Sequence, residues 1–167
     1  MNLLINYADG CCYNSRRNNS LSGIDVGFDS VIQYNKIDID DRFFNKNRDI
    51  LSRSRGAGYW LWKPYFILKT LNAVSDGDVI FYADAGSTFV KFPDMIMESV
   101  NTTSSGVVGF QLAGHHKEIQ YTKKETLDYF DFTEQMSQSD QHMASFICVR
   151  KCRSSIDHIK DYLSLCE

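Results

Sequence analysis

No stretch of this chain is long and apolar enough to span a bilayer, and its start, MNLLINYADG, turns polar too soon for a signal peptide. An integral membrane protein is therefore not expected. A basic excess is also missing: 18 Lys and Arg stand against 21 Asp and Glu, a net charge of -3. A general nucleic-acid binder normally shows the opposite balance. Zinc-type cysteine spacing is absent as well. Cys11-Cys12 and Cys148 with Cys152 do not make a metal knot. Five cysteines without a secretory leader read most simply as reduced thiols in a cytoplasmic protein.

What is present is enough apolar and aromatic residue for a real core in 167 residues, a usual size for one domain. Leu3-Leu4-Ile5-Asn6-Tyr7 reads as a first strand, ending at Ala8-Asp9-Gly10. Cys11 to Gly27 is polar and weakly patterned, and reads as a loop or a short helix. Ser30 to Tyr34 is a second strand. Asp38 to Leu51 is an amphipathic helix whose opening acids suit its positive end. Later come a helix from Phe92-Pro93-Asp94 with Met95 and Met97 at core-like spacing, a strand Val107 to Gln111, and a helix Lys124 to Phe130. A late strand over Ala144 to Val149 and an amphipathic helix Ser154 to Leu165 complete the pattern. His115 and His116, following a strand end, are open to a ligand role or to plain exposure.

The chain is organised around Arg55 to Gly86, RGAGYWLWKPYFILKTLNAVSDGDVIFYADAG. Val79 to Ala83 is a short apolar run that fits a strand covered on both faces, as in a parallel sheet. Asp84 then falls at its C-terminal end, where ligands of open α/β sheets bind. Ala85-Gly86 leaves the backbone accessible. A carboxylate there either binds a hard cation or caps the next element. Pro64 suits a first helical turn, and Tyr65, Phe66, Ile67, Leu68 and Leu71 give a broad apolar face behind it. In the loop before that helix, Arg55 and Lys63 are placed to neutralise a diphosphate, with the helix N-terminus adding a favourable field. Trp60 and Trp62 are open to core or site roles.

RGAGYWLWKP, then a helix, then FYADAG, resembles small GT-A-fold glycosyltransferases of bacterial and viral glycan assembly, including the nucleotide-sugar transferase domain of chlorella viruses. The likeness extends through GFDSVIQYNKIDID, RDIL, Glu118, YTKKETLDYF and SDQHMASFICVRK. It implies an α/β, GT-A (Rossmann-like) three-layer fold with a central mixed, mostly parallel sheet flanked by helices. It implies transfer of a hexose from a UDP-sugar donor to a glycan or glycoprotein acceptor, in the host-cell cytoplasm if the protein is viral. By the same resemblance Tyr7, Ala8 and Asp9 lie near the donor's base and ribose. Arg55, Tyr59, Trp60, Lys63, Tyr82, Ala83 and Asp84 surround the rest of the donor. Glu118 borders the acceptor side, and Asp140 and Gln141 present groups to the sugar.

GT-A enzymes usually carry Asp-x-Asp at this strand end, binding Mn²⁺ or Mg²⁺ with the donor diphosphate. Here the triplet is Tyr82-Ala83-Asp84, so Asp84 is the metal ligand the resemblance supplies. Glu118, Asp128 and Asp140 are candidate bases for an inverting reaction. Family members often continue with a segment containing His and Asp, so a shortened chain and a naturally minimal one both remain open. Two other readings stand beside this one. A non-catalytic nucleotide-sugar-binding module is favoured by the incomplete acidic triplet. A phosphatase of the haloacid-dehalogenase type is suggested by Asp84 followed by Thr88, although its second aspartate would fall at Gly86.

Overall fold

The computed structural model describes residues 1–167, the side chain of Cys11 excepted. Strand β1 (Asn2–Tyr7) runs through the middle of the molecule's larger unit and is buried on both faces. A 3-10 turn (Gly10–Cys12) leads into helix α1 (Tyr13–Val26). Strand β2 (Ser30–Tyr34), a 3-10 turn (Lys36–Asp38), and helices α2 (Asp41–Lys46) and α3 (Arg48–Leu51) follow. The turn α4 (Gly56–Tyr59) precedes helix α5 (Trp62–Ala73) and strand β3 (Val79–Ala83). Helix α6 (Asp94–Thr102) and strand β4 (Val107–Gln111) come next. Three short helices, α7 (Glu118–Tyr121), α8 (Lys124–Tyr129) and α9 (Glu134–Ser137), lead to strand β5 (His142–Arg150) and helix α10 (Arg153–Cys166).

One sheet of five strands results, in the order β2-β1-β3-β5-β4. β1 is parallel to both β2 and β3, with Leu4 opposite Val31 on one side and Phe81 on the other. β5 runs against β3: Lys151 donates to the Asp78 carbonyl (2.7 Å) at the end of β5 and the start of β3. It also runs against β4, since Arg150 bonds back to Gly106 and Leu112 to Gln141. The fold is therefore α/β with a mixed sheet that is only partly parallel.

Period-two alternation divides β1 between two helical layers. Leu3, Ile5 and Tyr7 join Ile80 and Tyr82 in a core closed by Phe66, Ile67 and Leu71 of α5 and Ile159 of α10. Leu4 and Asn6 turn to the other face, against α1. The chain divides into two compact units, residues 1–108 with 147–167, and residues 109–146.

Three local expectations change. The polar stretch after Cys11 forms a 14-residue helix rather than a loop or short helix. Its inward face is Asn19, Ser20 and Gly23, so there is no apolar stripe to read. Asn6 Nδ2 donates to Asn19 Oδ1 (2.7 Å) and Ser20 Oγ (2.9 Å), and a Cβ on Gly23 would stand 2.3 Å from Leu4. Small residues and buried hydrogen bonds replace apolar packing there. The single helix expected from Asp38 to Leu51 is broken at Asn47, and the Asp40 carboxylate takes a hydrogen bond from the Tyr65 hydroxyl (2.5 Å) instead of capping. Finally, Met97 is core but Met95 is 82% exposed.

Candidate functional site

Asp84 leaves the buried strand β3 and turns back at once, with Ser87 N–H donating to its carbonyl (3.0 Å). Its carboxylate has two partners on one oxygen. Lys63 Nζ lies 3.1 Å from Oδ1, and the Tyr82 hydroxyl donates to the same atom. Thus the first residue of the Tyr82-Ala83-Asp84 triplet is not a second acid but a phenol that braces the remaining one. Lys63 is nearly buried, 4% exposed in its side chain, while Asp84 keeps 40%. The Lys63 ammonium sits over the Tyr82 ring (4.8 Å). Burial lowers its pKa, and the Asp84 carboxylate works against that. Burial also pushes the Tyr82 phenol far up, with the Asp84 charge adding to the effect, so it stays a donor.

The glycine-framed loop adopts an unusual backbone. Gly56, Ala57, Gly58, Tyr59 and Trp60 all have positive φ: 59, 50, 100, 50 and 60°. Left-handed geometry costs an L-residue roughly 1–2 kcal/mol, and three of these five are not glycine. The surroundings hold the turn. Trp62 Nε1 donates to the Gly56 carbonyl (2.9 Å), and Trp60 N–H closes back onto the same carbonyl (3.1 Å). A Cβ on Gly56 would fall 2.5 Å from the Trp60 ring, and one on Gly58 2.8 Å from the Leu51 backbone. The glycines are needed because an indole and a backbone segment lie where side chains would be. Strain concentrated in one turn is a common property of ligand sites.

Between this turn and the ends of β1 and β3 lies a cavity of about 680 Å³. Tyr7, Asp9, Trp60, Trp62, Tyr82 and Asp84 are in its lining. Tyr7 stacks on Trp62 at 3.9 Å and 18°, so that tryptophan serves both core and cavity. The Tyr7 hydroxyl is buried without a hydrogen-bond partner, and burial raises its pKa well above the ordinary tyrosine value. Trp60 is 46% exposed and offers an open indole.

Of the residues singled out in the sequence, Tyr7, Ala8, Asp9, Trp60, Tyr82 and Asp84 come together here. Lys63 reaches the site through Asp84, and Ala83 is buried in the strand. Arg55 and Tyr59 are outside the lining, both exposed. Lys36, Arg53 and Ser54 also line the cavity. Lys36 falls within the GFDSVIQYNKIDID likeness without being marked as a site residue, and Arg53 and Ser54 carried no motif that could have marked them.

Glu118, Asp140 and Gln141 belong to the smaller unit. There Glu118 accepts from the Thr122 hydroxyl (2.7 Å) and the His142 N–H (2.7 Å). Asp140 pairs with Lys117 at 2.6 Å. Gln141 N–H donates to the His116 carbonyl (2.8 Å). Both acids are thus engaged in ties within that unit. His115 and His116 are exposed, with His116 Nδ1 2.8 Å from the Tyr121 hydroxyl.

For a divalent ion, the donor set is sparse. No three His, Cys, Asp or Glu side chains cluster as a cage among the described residues. Asp84 has one oxygen committed to Lys63 and Tyr82, which leaves the other. That fits an ion that keeps waters and takes further ligands from bound phosphate, as Mg²⁺ does. No helix is long and apolar enough to cross a membrane.

Family models, curated proteins and solved structures give no match to this chain.

Proposed function

We propose that this protein is a glycosyltransferase of GT-A type that moves a hexose from a UDP-sugar donor to a glycan or glycoprotein acceptor. One observation carries the reading: a cavity of about 680 Å³ at the C-terminal ends of parallel β1 and β3, lined by the Asp84 carboxylate and the open Trp60 indole. Sheet-end cavities of that size accommodate nucleotide-sized ligands. The residue pattern RGAGYWLWKP with FYADAG supports the same reading.

In this scheme Asp9 accepts hydrogen bonds from ribose hydroxyls or a base N–H. Trp60 offers its face to a ring of the donor. Lys63 and Tyr82 fix the Asp84 carboxylate from behind, so its free oxygen is presented in one orientation. Mn²⁺ or Mg²⁺ held there would offset charge on the departing diphosphate. A pre-arranged site of this kind stabilises developing charge without reorganising during the reaction. A non-catalytic nucleotide-sugar-binding module is the second reading, supported by the single carboxylate of the triplet.

The test is calorimetric titration with UDP, and with GDP and CMP as controls, in Mn²⁺ and in chelator, on wild type and Asp84→Ala. Metal-dependent binding of UDP alone, weakened at least tenfold in the variant, is expected. UDP-hexose turnover on the same samples then separates enzyme from binding module. If no nucleotide binds, or binding ignores both metal and Asp84, the proposal is wrong.

A further inference from the structure

The basic residues of the aromatic loop are not free to meet an anion in the cavity. Lys63 is buried and bound to Asp84. Arg55 stands at the entry to the left-handed turn, exposed and outside the cavity lining. Ser52, Arg53 and Ser54, which directly precede it, do line the cavity.

Arg53 has what Arg55 lacks. It extends from the end of α3 and lines the same space as Asp84, and its Nε alone is engaged, donating to the Asp49 carbonyl (3.1 Å). That bond orients the guanidinium and leaves its two terminal nitrogens available among the described residues. Lys36 reaches the cavity from the turn after β2, with its ammonium 5.9 Å from the Phe44 ring. Neither cation has a carboxylate within ion-pair distance among the described residues, although Asp9 and Asp84 line the same cavity. Two unpaired cations of different reach, one a planar fork and one a point charge, suit adjacent phosphate groups.

Charge bookkeeping points the same way. The lining carries Asp9 and Asp84 against Lys36 and Arg53, and Lys63 offsets Asp84 from behind. The balance is one positive charge, which favours an anionic ligand.

We propose that Arg53 and Lys36, rather than Arg55 and Lys63, are the side chains that bind the phosphates of a nucleoside diphosphate in this cavity. This rests on the nucleotide reading above, but it can fail separately from it. The experiment titrates UDP, ADP and uridine, at fixed Mg²⁺, into wild type, Arg53→Gln, Lys36→Gln, the double variant and Arg55→Gln. Thermal melts of each variant check folding, and the salt dependence of UDP affinity in wild type gives a measurement that needs no variant.

UDP affinity is expected to fall about tenfold in Arg53→Gln and somewhat less in Lys36→Gln. Uridine should bind equally to all, Arg55→Gln should stay within twofold for UDP, and wild-type UDP affinity should drop with salt. If UDP binds but the double variant matches wild type, or Arg55→Gln costs more than Arg53→Gln, the assignment is overturned while the nucleotide site stands. If ADP binds as tightly as UDP and shows the same losses, the assignment holds and the uridine-nucleotide reading is what fails. Absence of binding by all three ligands overturns both.

Discussion

Lys63 Nζ lies 3.1 Å from Asp84 Oδ1, and the two residues sit in very different surroundings, the lysine enclosed and the aspartate partly open to water. The pair ties the first turn of α5 to the end of β3 and makes the carboxylate a fixed feature of the cavity. Its two halves should therefore respond differently to mutation. Asp84→Asn strands a buried ammonium and is expected to cost about 2 kcal/mol. Lys63→Met leaves a carboxylate that water can reach and should cost less, about 1 kcal/mol or below. Urea unfolding of both single variants and the double variant would measure this; a larger loss in Lys63→Met would show that the lysine stem, not the charge pair, holds the joint.

The same lysine predicts a pH dependence. Its folded pKa lies below the ordinary 10.5 because burial disfavours the ammonium. Between the lowered folded pKa and 10.5 the unfolded chain binds more protons than the folded one. Stability contributed by this group therefore rises with pH across that window. Wild type minus Lys63→Met, followed by denaturant midpoints from pH 8 to 10, should show an upward slope. A flat or falling difference would contradict it.

Gly58 is the point of the left-handed turn that meets another backbone segment. It has φ of 100°, and a Cβ there would meet the Leu51 backbone at 2.8 Å. Gly58→Ala combines backbone strain with a contact that cannot relax by side-chain rotation. A loss of about 2 kcal/mol or more is expected, with a matching fall in Tm. An unchanged melting curve would mean that the turn is freer than its geometry implies.

Asn19 links three parts of the larger unit. Its Oδ1 accepts from Asn6 of β1, and its Nδ2 donates to the Ser87 carbonyl (3.0 Å) just beyond the Asp84 turn. Asn19→Ala leaves buried polar groups without partners and should cost about 1–3 kcal/mol. Asn19→Asp, which keeps the acceptor and loses the donor, should release the Ser87 segment specifically. Amide exchange over residues 84–89 would register that release, and protection equal to wild type would exclude the link.

Much of the fold was legible because it followed simple periodicities. Leu3 to Tyr7 and Val79 to Ala83 are short apolar runs that only a sheet covered on both sides can bury. Pro64 and the apolar face behind it marked α5, and the spacing of Ile156, Ile159 and Leu163 marked α10. The full length of α1 was not legible, and helix and loop stayed open there, because Asn19, Ser20 and Gly23 fill its buried face, and a buried polar face has the same sequence signature as a solvated loop.

By itself, then, the sequence determined the alternation of strands and helices and put Asp84 at a strand end beside an aromatic loop. Those are local matters, set by residue type and spacing. Only the tertiary structure decided which charges meet. Lys63 and Arg55 are eight positions apart in one motif, yet burial commits Lys63 to Asp84 and Arg55 falls outside the cavity lining. Lys36 and Arg53, from separate segments, line the cavity instead. No spacing rule encodes that exchange, because it depends on which segments the fold brings to the cavity and on which side chains the core encloses.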